Sequence, residues 1–229
     1  MKQLNVFCEG PTEQGFCVQV LQPHLFPRGD GLIHTLAVGE KDHLHVYGIG
    51  RRSKYDRVRK FMHNVIKQRE GKNVYFTSLF DLYALPNDFP GVATNVRNSA
   101  DPTPYVLALE EAFRQDVDYY RFVPYLQLHE YETMLFADPE MFRISFENCE
   151  SEIQQLKTIA ASEPSIELID DGQHTAPSKR IIDTIPEYRG RKTTAGPDIA
   201  EAIGITAIRA KCPHVDAWIV QLENLAWEA

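Results

Sequence analysis

The sequence predicts an α/β fold, a mainly parallel sheet flanked by helices, followed by a helical C-terminal part. Three observations carry this. Over residues 1–135, short apolar runs that end at Gly, Pro or acidic residues alternate with segments of helical periodicity, and such alternation builds parallel sheets covered on both faces. Over residues 136–229 the periodic segments all read as helix. The 43% hydrophobic content of the 229 residues is enough for a sizeable core.

The elements follow in order. "LNVFC" (4–8) is a compact apolar run stopped by Gly10-Pro11, which predicts a buried strand. Pro11 suits the first turn of a helix, where its missing N–H costs nothing, and "TEQGFCVQVLQ" carries that helix to Pro23. "HLHVYGIG" (43–50) predicts a second strand, and after it Tyr55, Val58, Met62, Val65 and Ile66 fall close to helical spacing. "NVYFTSLF" (73–80) predicts a third strand, ending at Asp81. Asp101-Pro102 signals the start of a helix over 101–115, and "RFVPYLQL" (121–128) predicts a fourth strand running into "HEYE".

Beyond it, "ESEIQQLKTIAAS", "SKRIIDTI", "PDIAEAIGITAIRAK" and "HVDAWIVQLENLAW" read as helices. The polar stretch 163–178 reads as a loop, with Ser178 as N-cap of the next helix. "RGRKTTAG" (189–196) reads as a basic, flexible loop.

Composition narrows the function. A net charge of −8 argues against binding nucleic acid over the whole surface. Between Arg51 and Lys72, however, nine Lys and Arg face only Asp56 and Glu70. Such a face either docks phosphates or an acidic partner, or is simply a solvated helix surface. The four cysteines, Cys8, Cys17, Cys149 and Cys212, form no C-x-x-C pair, which predicts buried reduced thiols rather than a zinc or redox motif. No stretch approaches the roughly 18 apolar residues of a membrane span, and "MKQLNVFCEG" lacks the apolar run of a signal peptide. The expectation is a soluble, cytoplasmic protein.

Three predicted strands end in acids. Glu9 closes the first, with Glu13 one helical turn on; Asp81 closes the third, with Asp88 in the loop after it; Glu130 and Glu132 follow the fourth. Ligands of open α/β sheets bind beyond the carboxyl ends of the strands. Carboxylates gathered at that edge raise one another's pKa unless a cation neutralises them, and oxygen-only ligation favours Mg²⁺ or Mn²⁺ over zinc. Such an ion activates water and polarises a phosphoryl oxygen.

These motifs resemble known ones. A strand ending in Glu-Gly and a later strand ending in an aspartate motif resemble the Toprim fold, Rossmann-like in architecture, of topoisomerases, bacterial primases and nucleases of the overcoming-lysogenization-defect (OLD) type. More narrowly, "EGPTEQGF", "FDLYALPNDFPG", "QLHEYETMLFAD", "TAPSKRI" and "CPHVDAW" are similar to a family of small Toprim-like bacterial proteins of unknown function, over about residues 3–225. Members of that family are often encoded beside an ABC/SMC-type ATPase in phage-defence loci. The resemblance implies that Glu9 is the Toprim glutamate, a general base or acid or a metal ligand. It implies that Asp81 is the first aspartate of the Asp-x-Asp motif. Tyr83 stands where the second would be, and a phenol is a poor Mg²⁺ ligand near neutral pH. Asp88 and Glu130 are the candidates to replace it.

Other motifs carry less. "HEYE" (129–132) lacks the second histidine of a zincin, because Thr133 stands there. In an extended chain Glu130 and Glu132 share a face and His129 points the other way, as a ligand, a proton shuttle or a structural histidine. "GIGRRS" lacks the third glycine of a dinucleotide loop, although Arg51 and Arg52 at such a turn suit a nucleic-acid phosphate. Lys179 and Arg180 are further candidates for phosphate. The sequence contains no Walker A motif, so any ATP hydrolysis belongs to a partner.

Two readings result. The first is a Mg²⁺- or Mn²⁺-dependent nuclease in which Glu9, Asp81 and Asp88 or Glu130 hold metal and Glu13 assists. The second is a non-catalytic Toprim-like sensor that binds an ATPase partner and nucleic acid. The partners are DNA or RNA and an ABC/SMC-type ATPase, with no membrane and with homo-oligomerisation left open. Nucleotidyl transfer is a weaker third, because the chain has no zinc ribbon.

Overall fold

In a computed structural model, which describes residues 1–38, 54–98, 101–169, 172 and 175–228, the chain opens with β1 (Lys2–Cys8). It turns at Glu9-Gly10 into α1 (Pro11–Phe16). A π-helical turn (Cys17–Leu21) leads on into α2 (Gln22–Leu25), so the helix passes the predicted stop at Pro23. The wider turn explains this: the Gln22 N–H reaches back to the Cys17 carbonyl, a shift of pairing that accommodates a residue with no N–H to give.

The remaining elements are β2 (Gly31–Ala37), α3 (Lys54–Arg69), β3 (Val74–Asp81), α4 (Thr103–Val117), β4 (Phe122–Val123) and β5 (Leu126–Gln127). There follow α5 (Glu150–Ala160), α6 (Pro177–Thr184), α7 (Tyr188–Ile203), α8 (Ile205–Lys211) and α9 (Pro213–Glu223). The second strand in the chain is therefore 31–37, which pairs with β1. The predicted strand 43–50 lies outside the described residues.

The strands form one parallel sheet in the order β2-β1-β3-β4, with β5 also paired to β3. This is the predicted α/β, Rossmann-like class. Buried parallel strands read as nearly continuous apolar runs because both faces are covered, and β3 shows how the faces divide. Tyr75 and Leu79 join the core shared with the C-terminal helices, whereas Phe76 and Phe80 join the core under α3 and α4. Tyr55, Val58, Met62, Val65 and Ile66 of α3 are all buried there, at the spacing the sequence predicted. No helix of the described residues is long and apolar enough to cross a membrane.

The predicted strand 121–128 is interrupted at Pro124, which lacks a ladder donor. Ser78 bridges the gap: its Oγ accepts the Tyr125 N–H at 2.9 Å and donates to the Tyr125 carbonyl at 2.9 Å. The C-terminal helices are tied to the sheet at the same place. The Trp218 indole N–H donates to Thr77 Oγ1 at 2.9 Å, and its ring stacks on Tyr125 with centroids 4.2 Å apart.

"RGRKTTAG" is not a loop. It lies within α7, which continues through Pro197. Glycine and proline signal a break locally, but here they allow α1 and α7 to approach closely. A methyl group on Gly15 would sit 2.4 Å from Pro197 Cγ, and Gly196 lies against Thr12, Tyr131 and Tyr188. Gly15→Ala is expected to destabilise by about 1–3 kcal/mol through overpacking against a rigid ring. Gly190→Ala meets nothing within 4 Å and is expected to stabilise α7 by roughly 0.5–1 kcal/mol. Urea titrations of both variants check the pair, and equal effects would refute the close approach.

Candidate functional site

The site forms at the carboxyl ends of β1, β3 and β5. Glu9 is the first residue past β1, and its Oε1 accepts the Asp81 N–H at 2.9 Å. Asp81 ends β3, and its Oδ1 accepts the Tyr131 N–H at 2.9 Å. Side-chain acceptors thus bridge three neighbouring strand ends where the backbone ladder stops. Glu13 lies on the first turn of α1 and returns its Oε2 to the Gly10 N–H at 2.8 Å, the glutamate half of a capping box.

The segment after β5 completes the edge. His129 adopts a left-handed backbone (φ 63°), and a 3₁₀ helix (Tyr131–Ala137) follows. The extended-chain rule that put Glu130 and Glu132 on one face therefore does not apply, yet both acids come to the site. Glu130 Oε2 accepts the Ser178 N–H at 2.9 Å, so a distant glutamate serves the start of α6. Ala176, and not Ser178, is the N-cap of that helix. Glu132 is 1% exposed, and its Oε1 accepts from the Tyr188 hydroxyl at 3.1 Å and from Lys192 Nζ at 3.0 Å.

These acids act on one another. Burial pushes the Asp81 carboxyl well above the usual range, and Glu9, Glu13, Glu132 and Glu130 push it further. Burial, then the Glu9 charge, raises Glu13 to about 8. Burial also raises Glu132, against the pull of Lys192. Burial alone would lower Lys192, but Glu132, then Glu130 and Asp81, outweigh it and hold the ammonium above the ordinary lysine range. Among the described residues, Lys192 is the cation paired with this group. A buried carboxyl that is protonated near neutrality can donate a proton, and an ionised one calls for a cation.

The other predicted residues are placed differently. Asp88 Oδ2 accepts the Tyr55 N–H at 3.1 Å, at the start of α3. His129 Nε2 lies 3.0 Å from the Glu167 carbonyl. Arg180 donates from Nε to the Thr175 carbonyl at 2.6 Å, and Lys179 is exposed on α6. Arg51 and Arg52 lie outside the described residues. Along α3, Arg59 pairs with Asp116 at 3.0 Å and Lys60 with Asp56 at 2.7 Å, while Arg69 donates to Asn5 Oδ1 at 2.8 Å.

Nothing in the sequence marks Tyr188 or Lys192 as a partner of Glu132, because Tyr188 directly precedes, and Lys192 lies in, a segment that reads as a loop. Had it been read as helix, their spacing of four residues would have put both on one face. An oxygen donor set of this charge suits Mg²⁺ or Mn²⁺. Among the described residues, however, no three His, Cys, Asp or Glu side chains are grouped so as to hold a metal ion. The described residues therefore form no three-carboxylate cage, and an ion here would be held by at most one or two carboxylates with water completing its shell.

The DUF4276 family model, a domain of unknown function, matches residues 8–223, a span that includes every acid of the site together with Lys192. Neither a curated protein nor a solved structure matches the chain. The chain belongs to the DUF4276 family.

Proposed function

We propose that this edge is a Mg²⁺- or Mn²⁺-dependent site for hydrolysing nucleic-acid phosphodiesters. One observation carries the reading: Glu9, Glu13, Asp81, Glu130 and Glu132 are buried or half-buried together at the carboxyl ends of parallel strands. Gathering buried carboxylates at one edge is costly to the fold, and a metal-dependent hydrolytic site would account for that cost. Glu9 and Asp81 are the residues that would hold the ion. When bound, it would activate water and polarise the phosphoryl oxygen.

The chain's own groups do the positioning. The Asp81 N–H fixes Glu9, and the Tyr131 N–H fixes Asp81. Glu13, with a pKa of about 8, is a carboxylic acid at neutral pH. Its Oε2 is held by the Gly10 N–H, which leaves Oε1 to carry a proton toward the departing oxygen. Lys179, exposed one residue beyond the Ser178 N–H that holds Glu130, would be the cation that meets a phosphate. The Toprim resemblance supports the same chemistry, and with it a phage-defence role beside an ABC/SMC-type ATPase.

One observation favours the alternative, a non-catalytic sensor: Glu9, Glu13, Asp81 and Glu130 each already accept a backbone N–H, and no three-ligand group forms among the described residues. Incubating the purified chain with Mg²⁺ or Mn²⁺ and a panel of DNA and RNA separates the two. The hydrolytic reading expects cleavage that EDTA stops and heat of Mn²⁺ binding by calorimetry. No cleavage and no bound metal would leave the sensor.

A further inference from the structure

Tyr83 is an exposed aromatic residue close in the chain to Asp81, and its setting gives the ring a use. It lies two residues past Asp81 on a 3₁₀ turn (Leu82–Ala84) directly after β3. Leu82 is buried in the core under α3 and α4, while Tyr83 is 51% exposed. The turn is held from across the site: the Tyr83 N–H donates to the His129 carbonyl at 3.1 Å, and Asp81 Oδ1 accepts the Tyr131 N–H at 2.9 Å. These two bonds bracket Glu130. A half-exposed aromatic residue thus stands two residues from Asp81, on backbone tied to the segment that carries Glu130, one of the acids proposed to meet a phosphodiester.

We propose that Tyr83 is a base-stacking platform, so that the substrate of this edge is single-stranded rather than duplex nucleic acid. This rests on the hydrolytic reading above and names its substrate class. A ring face accepts any base, because every base has a π-face. In a duplex those faces are already covered by neighbouring pairs, and exposing one requires unstacking. A phosphate beside Asp81 in a single strand leaves the adjoining base free to turn onto the ring. The phenol oxygen has no part in this, so phenylalanine serves equally.

The test is fluorescence anisotropy with a labelled oligonucleotide, as single strand and as duplex, in Ca²⁺, using the parent, Tyr83→Phe and Tyr83→Ala. The parent is expected to prefer the single strand and Tyr83→Phe to match it. Tyr83→Ala is expected to lose roughly 5- to 150-fold on the single strand, the size of one lost stacking contact, and little on the duplex. An abasic single strand is expected to bind parent and Tyr83→Ala alike. Equal single-strand binding by parent and Tyr83→Ala would overturn the proposal, as would a parent that prefers duplex. If the parent neither binds nor cleaves any nucleic acid, the hydrolytic reading fails and the stacking role falls with it. If the parent cleaves and Tyr83→Ala does so equally well, only the stacking role fails. Melting curves check the fold of each variant, and the exposed position predicts no change.

Discussion

Asp81→Asn is expected to abolish metal-dependent cleavage and yet leave the protein at least as stable as the parent. The two effects have one cause. Burial and four neighbouring acids push the Asp81 carboxyl well above its usual range, so its charge works against the fold near neutrality. Asparagine keeps the Oδ1 acceptor for the Tyr131 N–H at almost the same volume and cannot ionise. It also cannot supply the anionic oxygen that a hard cation needs. Cleavage should fall at least about 10³-fold, a barrier increase of roughly 4 kcal/mol. Guanidinium titration of the same preparation should give an unfolding free energy equal to or above that of the parent. A variant that is inactive because it is destabilised would show Asp81 to be structural, and one that cleaves normally would remove it from the site.

Such opposed effects are what a functional cluster produces. Local rules of burial and charge fail at sites that bind or react and hold elsewhere. The sequence was legible in these terms. The apolar runs 4–8 and 73–80 became β1 and β3 because buried parallel strands leave little else to be. The α3 stripe followed because one helical face meets the sheet. The acids at strand ends could be gathered in advance, since parallel strands carry their ends to one edge.

What could not be read was set by tertiary contact. β2 (Gly31–Ala37) pairs with all of β1, although its last residues are only half-buried, so it lacks the strong apolar run that betrays a strand. The α7 segment carries Gly190, Gly196 and Pro197, which mark a loop in isolation, whereas the packing of Pro197 on Gly15, of Gly196 on Thr12, Tyr131 and Tyr188, and of Ile199 and Ile203 in the core favours a helix. With α7 misread, the Tyr188–Glu132–Lys192 contacts had no signal. Asp88 is a candidate through its place in the loop after β3, and the contact of its Oδ2 with the Tyr55 N–H at the start of α3 has no signal in the sequence.

Glu13→Gln is expected to change how stability depends on pH. In the native state Glu13 is raised to about 8, by burial first and the Glu9 charge second, while in the unfolded chain it titrates near the ordinary value of about 4.3. Between those two values the folded protein binds more protons than the unfolded one. Stability from this group is therefore full below the unfolded pKa and is lost as pH rises to about 8. Glutamine retains the acceptor for the Gly10 N–H and has no proton to lose. The variant should lead by only about 1 kcal/mol at pH 5 and gain steadily to an advantage of at most roughly 5 kcal/mol at pH 8. Denaturant titrations in EDTA at pH 5, 6.5 and 8 measure the difference. A gap that does not change with pH would mean that Glu13 is ionised in the native state, and it could not then carry the proton assigned to it. Saturating Mn²⁺ should narrow the gap at pH 8, because a cation at the edge relieves the Glu9 charge that helps to raise Glu13.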